Sequence, residues 1–328
     1  MVYSRLLGRS GINISALGLG CWAIGGPFWS GETPNGWGEV DDAESIRAVH
    51  RALELGVTFF DTANVYGAGY SERVLSQALA GKRDQVVIAT KFNAVFNEAT
   101  RKVTGSDTTP AGIRNACEDS LRRLSTDYID LYQFHDNGFP PEKAGPIRDT
   151  LEELVMEGKI RSYGWSTDFP KSAEVFAQGK KCTAIQLQLN VFESNHQVLS
   201  ICEKYDLAAI NRGPLAMGLL TGKYNASSKP SIDDVRGLKS PEWMKYFKNG
   251  VPNPEFLKKR DAVREILASN GRTIAQGAIA WLWARSPKTI PIPGFRTVVQ
   301  VEENCRALDF GPLDADQMHE IDKILGRY

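Results

Sequence analysis

Four side chains that could move a proton stand at or just beyond the ends of apolar, β-branched runs. Asp61 ends FFD, Lys91 follows VVIAT, His135 follows IDLYQF, and Tyr66 lies five residues beyond Asp61. A tyrosine has a reference pKa of about 10, which an adjacent lysine ammonium would lower by favouring the phenolate. Asp61 could balance the buried ammonium, and His135 could orient a carbonyl oxygen by a hydrogen bond. Such a site would protonate an oxygen on which negative charge develops, as hydride addition to an aldehyde or ketone requires.

Each of these four residues also has a structural explanation when it is taken singly. Asp61 could cap a helix, Lys91 could be a solvated lysine, Tyr66 could serve packing, and His135 could be a hydrogen-bonded core residue. Their common position favours the chemical interpretation, because the carboxyl ends of the parallel strands in a barrel share one face, where active sites lie. The sequence therefore predicts that the four side chains converge.

Eight short apolar runs alternate with segments of helical periodicity, as in a parallel sheet joined by crossover helices. The predicted strands are Ala16–Gly20, Val57–Asp61, Val86–Thr90, Ile129–Phe134, Ile160–Gly164, Ala184–Leu189, Ala208–Asn211 and Thr289–Ile292. Eight strands favour a closed (β/α)8 TIM barrel over an open doubly wound sheet, which usually has fewer strands. The predicted helices are Asp42–Leu55, Pro110–Leu124, Ile147–Glu157, Ser172–Ala177, Gln197–Tyr205, Thr273–Ala284 and Asp314–Leu325.

A single barrel domain is expected to span residues 1–328, with two additions. Ser4–Leu7 and Ile12–Ser15 flank Gly8–Gly11, which predicts that residues 1–15 form a hairpin plugging the bottom of the barrel; the alternative is a plain N-terminal arm. Residues 222–257 are rich in Pro, Ser, Gly and Asn, which predicts a long loop after the seventh strand. Such a loop is either a lid or a surface insertion.

The segment Gly18–Ala23 reads Gly-Leu-Gly-Cys-Trp-Ala and matches the dinucleotide-binding pattern G-x-G-x-x-A. That pattern requires a helix to begin within the motif, whereas the seven Gly and Pro residues between positions 25 and 38 would break one. We interpret the glycines as turn residues at the barrel mouth. The aromatic side chains there either line an apolar substrate pocket or cover the rim; the predicted pocket residues are Trp22, Trp29, Trp37 and Phe92.

The composition argues against several classes of function. With 39 basic and 39 acidic residues and a pI near 6.9, the chain has no electrostatic basis for binding nucleic acid or an anionic membrane surface. Its five scattered cysteines contain no C-x-x-C pair, which predicts reduced, mostly buried thiols, and metal-ligand spacing is lacking. The N-terminus lacks the apolar core of a signal peptide, and no run of about 18 apolar residues occurs. A cytoplasmic protein with a small-molecule substrate is expected.

The segments DTANVYG, ATK and LYQFH resemble, in this order, motifs of the aldo-keto reductase superfamily, and the resemblance covers essentially the whole chain. It implies a catalytic tetrad of Asp61, Tyr66, Lys91 and His135, with NADP(H) as cofactor and no metal. It also implies reduction of aldehydes and ketones, with Tyr66 as the general acid. The branch that it resembles is bacterial-type or related to channel β-subunits. A second function stays open, that of an NADP-binding accessory subunit with weak catalysis, and a third is an unrelated barrel lyase or isomerase.

The resemblance extends to the nicotinamide end of the cofactor. Ser166 in GWST and Gln186 in AIQLQLN resemble the holders of the carboxamide, whereas Thr167 replaces the usual Asn. In NRGPLAMGLLTGKY, Arg212 stands where an aromatic ring commonly stacks on the nicotinamide, and a guanidinium plane can also stack on flat rings. Further cofactor residues in this segment are Gly213, Pro214, Leu215 and Gly218.

At the adenosine end, PIPGFRTVVQVEEN resembles the segment that grips the 2′-phosphate. Arg296 could bind a phosphate bidentately and so favour NADP over NAD. Gln300 stands where many relatives carry another arginine, which weakens that preference. Glu303 and Asn304 would bind the adenine edge or form the first turn of a surface helix, and Gly294 completes the predicted set.

Overall fold

The eight predicted strands form a closed parallel barrel in the computed structural model, which describes residues 3–327. They follow one another around the barrel in chain order, β1 to β8: Leu19–Gly20, Phe59–Asp61, Val87–Phe92, Ile129–Phe134, Ile160–Ser166, Cys182–Gln188, Ala208–Arg212 and Thr289–Pro291. Gly18 N and Gly20 N each donate a 3.0 Å hydrogen bond, to Pro291 O and Pro293 O, which joins β1 to β8. The predicted (β/α)8 barrel is confirmed.

The helices surround the barrel, and those of the described residues are α1 to α11: Asp42–Glu54, Tyr70–Ala78, Pro110–Leu124, Gly145–Met156, Pro170–Ala177, His196–Lys204, Pro254–Leu267, Ile274–Arg285, Val298–Cys305, Ala307–Phe310 and Ala315–Ile324. All seven predicted helices occur, with ends shifted by at most two residues. The predicted loop 222–257 ends too late, because Asn253 caps α7 and Pro254 occupies its first turn. No helix among residues 3–327 is long and apolar enough to cross a bilayer.

Successive side chains of a strand face opposite sides, so alternate residues of the barrel strands point inward. The lower inward positions are apolar and form a cluster that includes Phe59, Ala89, Leu131, Ala184 and Ile210. Two residues further along the same five strands the side chains are polar. They are Asp61, Lys91, Gln133, Gln186 and Arg212. The barrel therefore has an apolar floor and a polar upper layer.

An antiparallel hairpin of Ser4–Leu6 and Asn13–Ser15 closes the bottom of the barrel. Leu7 and Ile14 are completely or almost completely buried and pack into the apolar cluster. Arg5 is also buried and donates 2.7 Å hydrogen bonds to the carbonyl oxygens of Ser286 and Thr289. Residues 3–15 thus form the predicted plug, while residues 1 and 2 lie outside the described residues.

Long loops cover the opposite, C-terminal face. The loops after β1 and β3 form a four-stranded sheet of Trp29–Ser30, Thr33–Pro34, Ala94–Asn97 and Lys102–Ser106. The loop after β7 contains a small hairpin of Phe247–Lys248 and Val251–Pro252. It meets the loop after β1 where Val235 N donates a 2.7 Å hydrogen bond to Gly36 O. These loops form the walls of a cavity above the polar layer.

The glycines of the G-x-G-x-x-A segment serve close packing. A Cβ on Gly18 would lie 2.4 Å from the Phe59 ring, and one on Gly20 would lie 2.9 Å from Ile292 O. No helix follows until α1, since Ala23–Gly25 is a single 3-10 turn. The segment therefore brings β1 against β8 and β2, which confirms that it is not a dinucleotide fingerprint.

Gly67 fixes the backbone beside Tyr66, which gives a test of this packing. Its φ is +61°, and an added Cβ would lie 1.9 Å from Gly25 O, whereas Gly11 has a φ of +75° with open space around it. We expect Gly67→Ala to lower the free energy of unfolding by about 2–5 kcal/mol through strain and overpacking. The matched variant Gly11→Ala should cost about 1–2 kcal/mol from backbone strain alone. The free energies of unfolding are measured by urea denaturation. Equal losses in Gly67→Ala and Gly11→Ala would contradict this packing.

Candidate active site

The four predicted catalytic side chains meet at the carboxyl ends of β2, β3 and β4. Lys91 Nζ donates hydrogen bonds to Asp61 Oδ1 at 2.5 Å, to Thr62 O at 2.8 Å and to Tyr66 Oη at 3.3 Å. The ring of His135 stands edge-on to the ring of Tyr66, with 5.9 Å between their centroids. The structure therefore brings together residues that are up to 74 positions apart in the chain.

Two glutamine side chains hold the second oxygen of Asp61. Gln133 Nε2 and Gln186 Nε2 donate to Asp61 Oδ2 at 2.9 and 2.8 Å. The role of Gln133 was not predicted from the sequence, although its position two residues before His135 on β4 places it on the same inward face. Gln186, predicted as a cofactor residue, also orients the tetrad.

Burial and charge act in opposite directions on the pKa of Tyr66. Desolvation raises this pKa above its ordinary value, while the charge and hydrogen bond of Lys91 lower it. The sequence analysis predicts that Lys91 lowers the pKa of Tyr66, and it does. The net shift of this pKa is nevertheless upward, because the effect of burial is larger. Desolvation also lowers the pKa of Lys91, but Asp61 and Tyr66 outweigh it and raise that pKa. The site thus holds an ammonium beside a protonated phenol.

His135 is neutral at physiological pH. Desolvation, followed by the positive charges of Lys91 and Arg212, holds the pKa of His135 well below its usual range. A neutral imidazole carries one N–H donor and one acceptor nitrogen. His135 and the hydroxyl of Tyr66 can therefore both donate hydrogen bonds to an oxygen bound between them.

A cavity of about 1030 Å³ opens above these residues, at the upper end of the usual range for ligand sites. Trp22 and Trp37 line it, and Trp22 stacks on Tyr66 with 5.7 Å between the ring centroids. The exposed Trp243, which the sequence analysis missed, packs near Trp22, with 6.2 Å between the ring centroids. The cavity also contacts all but one of the predicted cofactor residues: Ser166, Gln186, Arg212, Gly213, Pro214, Leu215, Gly218, Gly294, Arg296, Gln300, Glu303 and Asn304.

Four predicted site residues do not line the cavity. Lys91 is one of them, but its ammonium contacts Asp61 and Tyr66, which do line it. Phe92 follows Lys91 on β3 and so faces outward, where it stacks on Tyr132 at 4.7 Å. Trp29 lies on the strand face opposite to its neighbours Phe28 and Ser30, both of which line the cavity. Thr167 is fully buried and donates to Asn137 O at 3.2 Å. The pocket role of Phe92 and Trp29 and the cofactor role of Thr167 are therefore corrected.

Arg212 is held by partners that the sequence analysis did not identify. Its guanidinium donates to Asp168 Oδ2 and, at 2.8 Å, to Gln188 Oε1. Asp168 Oδ1 in turn accepts a 2.7 Å hydrogen bond from Gln188 N. Arg212 and Gln188 are register partners on β7 and β6, which explains their contact.

At the far end of the cavity, Arg296 joins the segment after β8 to the loop after β1. Its guanidinium donates to Trp37 O at 3.1 Å and to Glu39 O. Gln300 Oε1 accepts a 2.7 Å hydrogen bond from Arg296 N. Glu303 and Asn304 lie in the last turn of α9, not in a first turn, and Asn304 Nδ2 donates to Gly294 O at 3.4 Å.

The buried ion pair gives a stability prediction. Asp61→Asn leaves the Lys91 ammonium buried without a carboxylate, which should lower the free energy of unfolding by about 3–5 kcal/mol in urea denaturation. Lys91 would then have a lower pKa in the folded than in the unfolded state, so stability should rise with pH between those two values. Asp61→Asn combined with Lys91→Met should recover part of the loss. No recovery would contradict the pairing.

Comparison with known proteins places this geometry in a family. The family model described as "Aldo/keto reductase family" matches residues 16–326. The aldo-keto reductase YhdN of Bacillus subtilis is 33% identical, over 96% of this chain and 91% of that protein. A glycerol dehydrogenase from Gluconobacter oxydans of known structure is also 33% identical in sequence. Its structure superposes with a TM-score of 0.80 over 99% of this chain and 95% of the dehydrogenase chain. An aldo-keto reductase from Klebsiella pneumoniae in complex with NADPH is 25% identical, with a TM-score of 0.71 over 99% and 96%.

The match covers the barrel, the three strand ends at which the tetrad residues converge and the loops that enclose the cavity. An unrelated barrel lyase or isomerase is thereby excluded. The chain belongs to the aldo/keto reductase family and is an oxidoreductase.

Proposed function

We propose that this protein reduces aldehydes and ketones to alcohols with NADPH, and that Tyr66 is the general acid. The observation that carries the proposal is the 3.3 Å contact between Tyr66 Oη and the buried Lys91 ammonium, beside His135 on the floor of the cavity. A protonated phenol and a neutral imidazole are two donors that can stabilise a developing alkoxide. The NADPH-bound relative from Klebsiella pneumoniae supports the choice of cofactor.

The cavity has chemistry that fits NADP(H). Ser166 lines the cavity, where its hydroxyl can bind the carboxamide. Within residues 3–327, the buried Nε1 of Trp37 has no partner. Arg296 supplies a cationic group for the 2′-phosphate. When bound, the cofactor would supply the hydride.

The residues of the chain would orient the carbonyl and supply its proton. His135 and Tyr66 would bind the carbonyl oxygen, which polarises the carbon toward hydride addition. Tyr66 would transfer its phenolic proton to the oxygen as negative charge develops there. Lys91 would stabilise the resulting phenolate, since its ammonium is held beside Oη by Asp61. The Trp22, Trp37 and Trp243 rings would contact apolar parts of the substrate.

Removing the Tyr66 hydroxyl should abolish most turnover. We expect Tyr66→Phe to lower kcat for 4-nitrobenzaldehyde and methylglyoxal by about 10²–10⁴-fold, the usual contribution of a general acid. The measurement is NADPH oxidation at 340 nm, with NADPH affinity determined in parallel. The matched control is Tyr132→Phe, because the Tyr132 hydroxyl is buried without a partner among the described residues and lies outside the barrel. Its turnover should match that of wild type.

Turnover that persists in Tyr66→Phe would contradict the assignment of the acid. Tight NADPH binding without turnover by the wild-type protein would contradict the reductase proposal and support an NADP-binding accessory subunit. Retained NADPH binding by Tyr66→Phe is needed to separate loss of the acid from loss of the site.

Arg296 should set the preference for NADPH over NADH. A charge-assisted contact to the 2′-phosphate would be lost in Arg296→Met, which should weaken NADPH binding by about 10–100-fold. NADH lacks that phosphate, so its affinity reports only the loss of the contacts to Trp37 O and Glu39 O. Gln300→Arg adds a cationic group and should strengthen the preference for NADPH over NADH. Equal losses for both cofactors in Arg296→Met, measured by calorimetry, would contradict this role.

A further inference from the structure

A second ion pair stands beside the reacting centre and takes no part in the proton transfer proposed above. Arg212 and Asp168 pair at the wall of the cavity, where their side chains are 28% and 27% exposed. Gln188 binds the guanidinium of Arg212, and Asn137 Nδ2 donates to Asp168 Oδ2 at 3.2 Å. Both charges are therefore fixed by neighbouring side chains.

The charge of Arg212 acts on the groups that would bind the carbonyl. Burial has the largest effect on the pKa of Tyr66 and of His135, and the positive charge of Arg212 has a smaller effect that lowers both. Hydride transfer requires the donor and the carbonyl carbon to be in contact. The hydride-donating ring would therefore occupy the part of the cavity that Arg212 and Asp168 face.

This ring changes its charge during the reaction. The reduced nicotinamide is neutral, whereas the oxidised ring is a pyridinium cation. A fixed cation nearby disfavours the oxidised form, and a fixed carboxylate favours it. An uncharged aromatic side chain at position 212 would impose no such penalty.

We propose that the Arg212–Asp168 pair sets the relative affinity of this site for NADPH and NADP⁺. Arg212 weakens the binding of NADP⁺, and Asp168 limits that discrimination by partly compensating the positive charge. The inference rests on the proposed function, because it requires NADP(H) to bind in this cavity. Weaker binding of the oxidised cofactor would favour its exchange for NADPH after each reduction.

The test compares the dissociation constants of NADPH and NADP⁺ for the same variants at one pH and one salt concentration. Quenching of tryptophan fluorescence can report binding, because Trp22 and Trp37 line the cavity. The ratio Kd(NADP⁺)/Kd(NADPH) should fall by about 3–10-fold in Arg212→Met and rise by about 3–10-fold in Asp168→Asn. Arg212→Lys keeps the charge and should hold the ratio within about twofold of wild type.

Arg236→Met is the matched control. Arg236 also lines the cavity and pairs with an aspartate, Asp234, but it lies over Trp37 and is not among the charges that act on Tyr66 or His135. Arg236→Met should leave the ratio Kd(NADP⁺)/Kd(NADPH) unchanged. NADPH and NADP⁺ carry the same phosphates and differ in the charge of the nicotinamide ring, on which Arg236 is not expected to act. Asp168→Asn retains an oxygen that can accept from Gln188 N, so it removes charge with little change in shape.

A merely structural role for the pair would weaken both cofactor forms together and leave the ratio constant. Equal ratios in wild type, Arg212→Met and Asp168→Asn would therefore overturn the proposal. Shifts of both variants in the same direction would also overturn it. Absence of NADPH binding to the wild-type protein would be a different result, because it would overturn the proposed function as well.

Discussion

The buried ammonium of Lys91 is the constraint on which the site depends. Its side chain is completely buried, and an ammonium in that position needs a partner for its charge and for each of its three N–H donors. Asp61, Thr62 O and Tyr66 Oη supply these partners. The carboxylate of Asp61 needs donors in turn, which Gln133 and Gln186 provide. One buried charge thus connects β2, β3, β4 and β6.

The two-residue period of the strands links this polar network to the stability of the barrel. The inward positions below it are apolar, and the hairpin at residues 4–15 covers them with Leu7 and Ile14. Shifting a strand by one residue would turn its polar side chain away from the network and an outward apolar one into it. The apolar floor and the polar layer therefore favour the same register.

The sequence predicts all eight strands and the tetrad, because each tetrad residue lies at a strand end or close beyond it. It does not identify Asp168, Gln188 or Gln133, because their roles arise from contacts between strands far apart in the chain. The errors at Phe92 and Thr167 have another cause. Each lies one residue beyond an inward-facing side chain, and only strand geometry decides which of two neighbours faces the cavity. The upward pKa shift of Tyr66 likewise depends on burial, which periodicity does not quantify.

Charge is distributed unevenly along the cavity. Its inner end carries two compensated pairs, Lys91–Asp61 and Arg212–Asp168, with a neutral His135, so this end has no net charge. Its other end has Lys223, Glu303 and Arg296, whose guanidinium binds only backbone carbonyls among residues 3–327. A reduced dinucleotide has anionic phosphates and a neutral reacting ring. Its charges fit this cavity in one orientation only, with the phosphates toward Arg296 and the ring toward Tyr66. The same ion pairs that keep the inner end neutral would thereby help to direct the reacting ring toward Tyr66.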